Sequence, residues 1–143
     1  MTSANGNFAI HHLGVAVSEM ERALAFYRSV LGFSLVSEVI TDPIQKVEVC
    51  FLRNAPDPNL TIELVHPTEA ASPVNGYLSK GVGAYHICYE VGRLEDALAD
   101  LRAKGCVPIA APVPAAAFEG RRIAWCMTPT KHLVELLEGR PSH

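Results

Sequence analysis

The stretch HLGVAVSEMERALAFYR, His12 to Arg28, returns 74 residues later as HICYEVGRLEDALADLR, His86 to Arg102. Seven of these seventeen positions are identical: His12/His86, Val17/Val91, Glu21/Glu95, Ala23/Ala97, Leu24/Leu98, Ala25/Ala99 and Arg28/Arg102. Unrelated segments of ordinary composition share on the order of one. A second offset, of 72, lays Ile62-Glu63-Leu64 on Val134-Glu135-Leu136. Unequal loops account for the drift of two residues. The chain therefore reads as a duplication of a unit of roughly 60 residues, a conclusion that comes before any assignment of elements.

Each copy carries the same order of elements. Ala9–Val17 is apolar and bounded by polar residues, which predicts a strand. Ser18-x-x-Glu21 has the pattern of a capping box, and Met20, Leu24, Tyr27 and Leu31 share one stripe of the helix that follows. Gly32 suits its C-terminal stop. Three short strands are expected near Phe33–Ile40, Lys46–Arg53 and Leu60–His66, the last two joined by the turn-forming run Asn54-Ala55-Pro56-Asp57-Pro58-Asn59. The second copy repeats the order with a strand Tyr85–Val91 and a helix Arg93–Lys104, with Leu94, Leu98 and Leu101 on one face and Gly105 at its end. Strands near Val107–Ile109, Arg122–Met127 and Leu133–Leu137 follow, with Thr128-Pro129-Thr130-Lys131 as the last hairpin turn. Ser72-Pro73 opens a short linking helix that Gly81 ends. Pro108–Gly120, with prolines at 108, 112 and 114, reads as a loop. The predicted fold class is α+β, two tandem βαβββ modules in one domain spanning 1–143. Module one covers about 9–67, the linker helix about 68–83 and module two about 84–138.

Composition narrows the function. The 143 residues are 49% apolar, with 12 Lys+Arg against 15 Asp+Glu, so the chain can build a core and is not disordered. A net charge of -3 argues against a general nucleic-acid binder. No apolar run approaches the ~18–20 residues that span a bilayer. Met1-Thr2-Ser3-Ala4-Asn5-Gly6-Asn7 lacks the basic-then-apolar pattern of a signal peptide, and a cytoplasmic location is expected. Cys50, Cys88, Cys106 and Cys126 stand alone at wide spacings, which suits reduced thiols in a core rather than a zinc ribbon.

The duplication places a histidine near the start of each first strand and a glutamate in each last strand: His12 and His86, Glu63 and Glu135. Matched positions in a two-copy fold can converge on one site. Two neutral imidazoles and two carboxylates suit a divalent transition ion, whose charge the carboxylates cancel. A glutamate inside Thr61-Ile62-Glu63-Leu64-Val65 is costly to bury unless neutralised or bound, and Leu133-Val134-Glu135-Leu136-Leu137 repeats the anomaly. Edge strands with one wet face would also explain both, but as a symmetric set of four the residues favour metal binding.

The motifs Ile10-His11-His12-Leu13-Gly14-Val15-Ala16-Val17, Ile62-Glu63-Leu64, Tyr85-His86-Ile87-Cys88 and Val134-Glu135-Leu136 resemble, in that order, the vicinal-oxygen-chelate superfamily (glyoxalase/bleomycin-resistance/dioxygenase). Ser72-Pro73-Val74-Asn75-Gly76-Tyr77-Leu78 and Gly120-Arg121-Arg122-Ile123-Ala124-Trp125 extend the resemblance from about Ala9 to Glu138. Within the superfamily the chain is most similar to the methylmalonyl-CoA epimerase family. The resemblance implies a cupped, partly open, barrel-like mixed sheet around a divalent ion (Co, Zn, Ni or Mn), with His12, Glu63, His86 and Glu135 as ligands. It implies a small-molecule partner, a thioester, and a homodimer, with no nucleic-acid or membrane partner. The second ligand is Gln in some members, so Glu63 makes the site more negative.

The activity implied is epimerisation of an acyl-CoA such as methylmalonyl-CoA. One group removes the proton next to the thioester and another returns a proton on the opposite face. Glu135 is one candidate. Glu48, in Lys46-Val47-Glu48-Val49-Cys50-Phe51, is the other, provided it lies on the same side of the sheet as Glu63; a slip of one residue would turn it away. A glyoxalase-type (lactoylglutathione lyase-like) isomerase and a non-catalytic small-molecule binder are the alternatives. An extradiol dioxygenase would have no use for Glu63. His11, His66 and His132 read as structural, and Lys80, Arg121 and Arg122 as solvated charge.

Overall fold

The computed structural model describes residues 8–140. Ten strands and three α-helices follow in the order β1 (Ala9–Ala16), α1 (Met20–Ser29), β2 (Phe33–Leu35), β3 (Ile40–Asp42), β4 (Val47–Asn54), β5 (Asp57–Pro67), α2 (Val74–Ser79), β6 (Ala84–Val91), α3 (Leu94–Ala103), β7 (Val107–Pro108), β8 (Val113–Pro114), β9 (Arg122–Met127) and β10 (Leu133–Glu138). The architecture is mixed α+β. The chain divides into two compact units, one of His12–Tyr85, the other running from His86 onward together with the stretch ending at His11. Among the described residues no helix is long and apolar enough to cross a bilayer.

The two units are wired alike. In the first, β5 pairs parallel with β1 and antiparallel with β4, and β4 carries β2 and β3 on its far edge. In the second, β10 pairs parallel with β6 and antiparallel with β9, and β9 carries β7 and β8. One side of each ladder packs on its helix. Cys50, Leu52, Ile62 and Leu64 bury against Met20, with Leu13, Val15 and Leu24 beside them. Leu136 and Ala124 bury against Leu94 and Ala97, with Tyr89 and Val134 beside them. Side chains alternate along a strand, so His12, Gly14, Phe51, Glu63, His86, Cys88, Trp125 and Glu135 occupy the sides without a helix.

Several local expectations are corrected. Helix α1 starts at Met20 with Glu19 as an extended N-cap, and no side chain caps it, so the Ser18–Glu21 capping box does not form. Glu19 instead accepts a hydrogen bond from the Arg22 guanidinium at 3.2 Å. The single strand expected over Phe33–Ile40 is two. Between them Val36 N and Phe51 N bond to Phe51 O and Ser37 Oγ respectively, so the chain bulges there and rejoins β4 at Ile40. β3 ends in the buried Asp42, whose carboxylate accepts from the amides of Ile44 and Gln45 and from the Gln45 side chain. The turn Asn54–Asn59 is shorter than expected, because Asp57 already pairs with Asn54. The proline-bearing loop is ordered around β8 and a single 3₁₀ turn, Ala116–Phe118, that buries Phe118.

Candidate functional site

Within the first unit, register places Gly14 of β1 directly beside Glu63 of β5. His12, two residues before Gly14, shares that side of the sheet. The Glu63 carboxylate reaches back along the diagonal, and its Oε1 lies 3.1 Å from His12 Nε2. On its other flank Glu63 faces Phe51 of β4, whose ring stands edge-on to the His12 imidazole at 5.5 Å.

Module two builds the same constellation. Cys88 lies beside Glu135, and Glu135 Oε1 is 3.2 Å from His86 Nε2. Trp125 of β9 faces Glu135 and meets the His86 ring edge-on at 4.9 Å. The offset of 74 that pairs the histidines also pairs Phe51 with Trp125 and Gly14 with Cys88. Composition draws no attention to these four, because an aromatic in an apolar strand reads as core. The repeat itself marks them.

All four polar residues are buried: His12 is 0% exposed, Glu63 6%, His86 4% and Glu135 3%. This removes the wet edge strand as an explanation for the glutamates. A carboxylate so dry requires a partner, and each has an imidazole. The donor set fits a divalent ion, since these are side chains able to hold a metal and the two carboxylates match its charge.

Glu48 is placed elsewhere. It lies opposite His66, three residues before Phe51 in an unbroken ladder, and so takes the helix side of the sheet rather than the side of Glu63. Its Oε1 is 3.1 Å from His66 Nδ1. The two repeat offsets carry Glu48 onto Arg122 and His66 onto Glu138, and those residues also form a cross-strand pair. Glu48 therefore occupies a position that the second module uses for structure.

The remaining polar residues fall into place. His11 packs edge-on against Phe118 at 5.3 Å. His132 is exposed, and its amide donates to Thr128 Oγ1 in the hairpin turn. Lys80 is exposed at the end of α2. The two arginines are paired rather than solvated: Arg121 donates to Glu90 at 2.8 Å and to the Glu138 carbonyl, and Arg122 reaches both Glu138 and Glu95. Hydrogen bonds from Arg122 hold the Glu138 and Glu95 carboxyls below their ordinary range. Burial pushes the Cys50 and Cys126 thiols up, as befits inert core residues, and none of the four cysteines forms a disulfide.

Two modules wired alike, each a strand, a helix and four further strands with a buried His–Glu pair on its helix-free side, define a class of duplicated α+β proteins with a repeated polar centre. Residues 11–125 match the Glyoxalase/Bleomycin resistance protein/Dioxygenase superfamily, and the chain belongs to it. It is 40% identical over 97 residues to the mitochondrial methylmalonyl-CoA epimerase of Mus musculus, an alignment covering 66% of this chain and 52% of that protein. It is 41% identical over 92 residues to the ethylmalonyl-CoA/methylmalonyl-CoA epimerase of Cereibacter sphaeroides, covering 63% of each. The chain thus spans about half to two-thirds of the length of these curated relatives. The crystal structure of methylmalonyl-CoA epimerase from Mycobacterium tuberculosis superposes with a TM-score of 0.80 at 25% identity, covering 99% of this chain and 93% of that one.

Proposed function

We propose that this protein is a metal-dependent epimerase acting next to the thioester carbonyl of an acyl-CoA such as methylmalonyl-CoA. His12, Glu63, His86 and Glu135 are its ligand set for a divalent ion of the Co, Zn, Ni or Mn type. The observation that carries the reading is the repetition of one buried His–Glu pair, in the same register, in both modules. The epimerase relatives supply the reaction class.

A bound divalent ion polarises a carbonyl and stabilises the negative charge left when the neighbouring C–H loses its proton. The chain's own residues do the rest. The imidazoles orient the carboxylates, and Phe51 and Trp125 keep water from their flanks. Epimerisation needs two proton-transfer groups. Glu135 is one; Glu48 faces the helix side of its sheet, and Glu63 holds the place that some members fill with glutamine, so Glu63 serves the ion rather than the proton. Glu135 takes the α-proton, and a second proton-transfer group returns one to the opposite face of the carbon. Solvent exchange then resets both.

The test is deuterium uptake at the α-carbon of methylmalonyl-CoA by Co-loaded protein in heavy water. Uptake with interconversion of the two epimers is expected; no uptake would sink the named substrate. Glu48→Gln is expected to keep epimerisation within a few-fold of the parent. Glu63→Gln, which retains an oxygen donor, is expected to bind the ion and keep interconversion, whereas Glu135→Gln is expected to lose it. Loss of interconversion in Glu48→Gln would return the second proton to Glu48.

A further inference from the structure

Each glutamate comes from one strand and its histidine from the next, two residues out of register. In a parallel ladder the residue directly beside the glutamate lies about 4.8 Å away, whereas the diagonal neighbour is roughly 7–8 Å off. Glu63 must therefore pass residue 14 to reach His12, and Glu135 must pass residue 88 to reach His86. The lateral neighbours are Gly14, which has no side chain, and Cys88, which is fully buried. Both are small; the other small residues of β1 and β6 are Ala9, Ala16 and Ala84, none of them beside a glutamate of the two pairs.

We infer that Gly14 and Cys88 are positioning residues of the two His–Glu pairs, chosen for size, an inference that rests on the ligand set proposed above. A branched side chain at either position fills the diagonal that the carboxylate crosses and turns the glutamate off its histidine. Nothing in this role needs the sulfur. Size alone decides it.

Cys88→Ala, Cys88→Val and Gly14→Val test this in the full chain, with two readouts. The first is Co²⁺ affinity, followed by the visible absorption of the bound ion. Displacing an orienting partner of a ligand typically costs about 10–100-fold in metal affinity. A loss of that size is expected for Cys88→Val and Gly14→Val, and none for Cys88→Ala. The second is the ¹⁵N shift of the imidazole Nε2 in metal-free protein, which reports the His–Glu contact directly. It is expected to move for His86 in Cys88→Val, for His12 in Gly14→Val, and for neither in Cys88→Ala. Parent-like imidazole shifts in both valine variants would overturn the inference. So would an equal effect of Cys88→Ala, because the thiol rather than its size would then matter. A parent protein that binds no Co²⁺ would instead overturn the ligand set, and the imidazole shifts would still decide the positioning role.

Discussion

His12 and Glu63 depend on each other because neither is stable alone where they lie. Removing one member of a buried pair leaves an uncompensated polar group and costs on the order of 3–5 kcal/mol, whereas replacing both by apolar residues is often neutral. His12→Ala is expected to lower the urea midpoint of the metal-free protein sharply. His12→Leu combined with Glu63→Leu is expected to recover most of the loss, and a double-mutant cycle measures the coupling. These residues were legible because the repeat displays them twice. Phe51 and Trp125 obey the same offset, yet their burial and edge-on packing on the imidazoles require the register of β4 and β9. Glu48 shows the limit of reading a strand. Its chemistry was visible, but the side it faces depends on pairing with His66, and one residue of register reverses that.

Among the elements, the end of β10 makes a tight join. Gly139 follows the strand and runs against the turn after β6, where a Cβ would come within 2.5 Å of the Val91 carbonyl and 2.9 Å of the Gly92 carbonyl. Backbone cannot give way as a side chain can. Gly139→Ala is expected to cost about 1–3 kcal/mol, the usual range for overpacking, and a thermal melt checks it. Gly76→Ala, on α2 with open space around it, is the control and is expected to melt at or slightly above the parent's temperature. The sequence announced most elements through apolar runs and their stops. β9 runs over Arg122–Met127 as expected, and Gly32 and Gly105 follow their helices with positive φ. What it did not announce were features made by tertiary contacts. Between β2 and β3 Ser37 bonds to β4, and α1 starts at Met20 without a side-chain cap. Asp42 is a further case: its burial follows from the turn it closes, which a lone Asp-Pro pair only hints at.

At the scale of the whole molecule, the duplication has kept positions while changing charge. Module one joins β4 to β5 through Glu48 and His66, and module two joins β9 to β10 through Arg122 and Glu138, with Glu95 of α3 added. Only the second network is a carboxylate–guanidinium cluster, so it should give module two a distinct response to acid. Hydrogen bonds from Arg122 lower the Glu138 carboxyl below its usual 4.5, and Glu95 is lowered by the same residue. A carboxyl lowered in the folded state binds fewer protons there than in the unfolded chain. Its stabilisation is therefore complete above about pH 4.5 and drains away as the pH falls through the lowered folded value. Glu138 is partly exposed, so solvent screening holds its share to no more than about 1 kcal/mol. Trp125, the single tryptophan, sits in β9 and reports this module by fluorescence. Its urea midpoint is expected to hold steady from pH 7 to 5 and to fall below pH 4.5. Glu138→Gln is expected to start from a lower midpoint at pH 7 and to fall less steeply with acid. A parallel decline of parent and variant from pH 5 to 3 would show that Glu138 does not set the acid limit of module two.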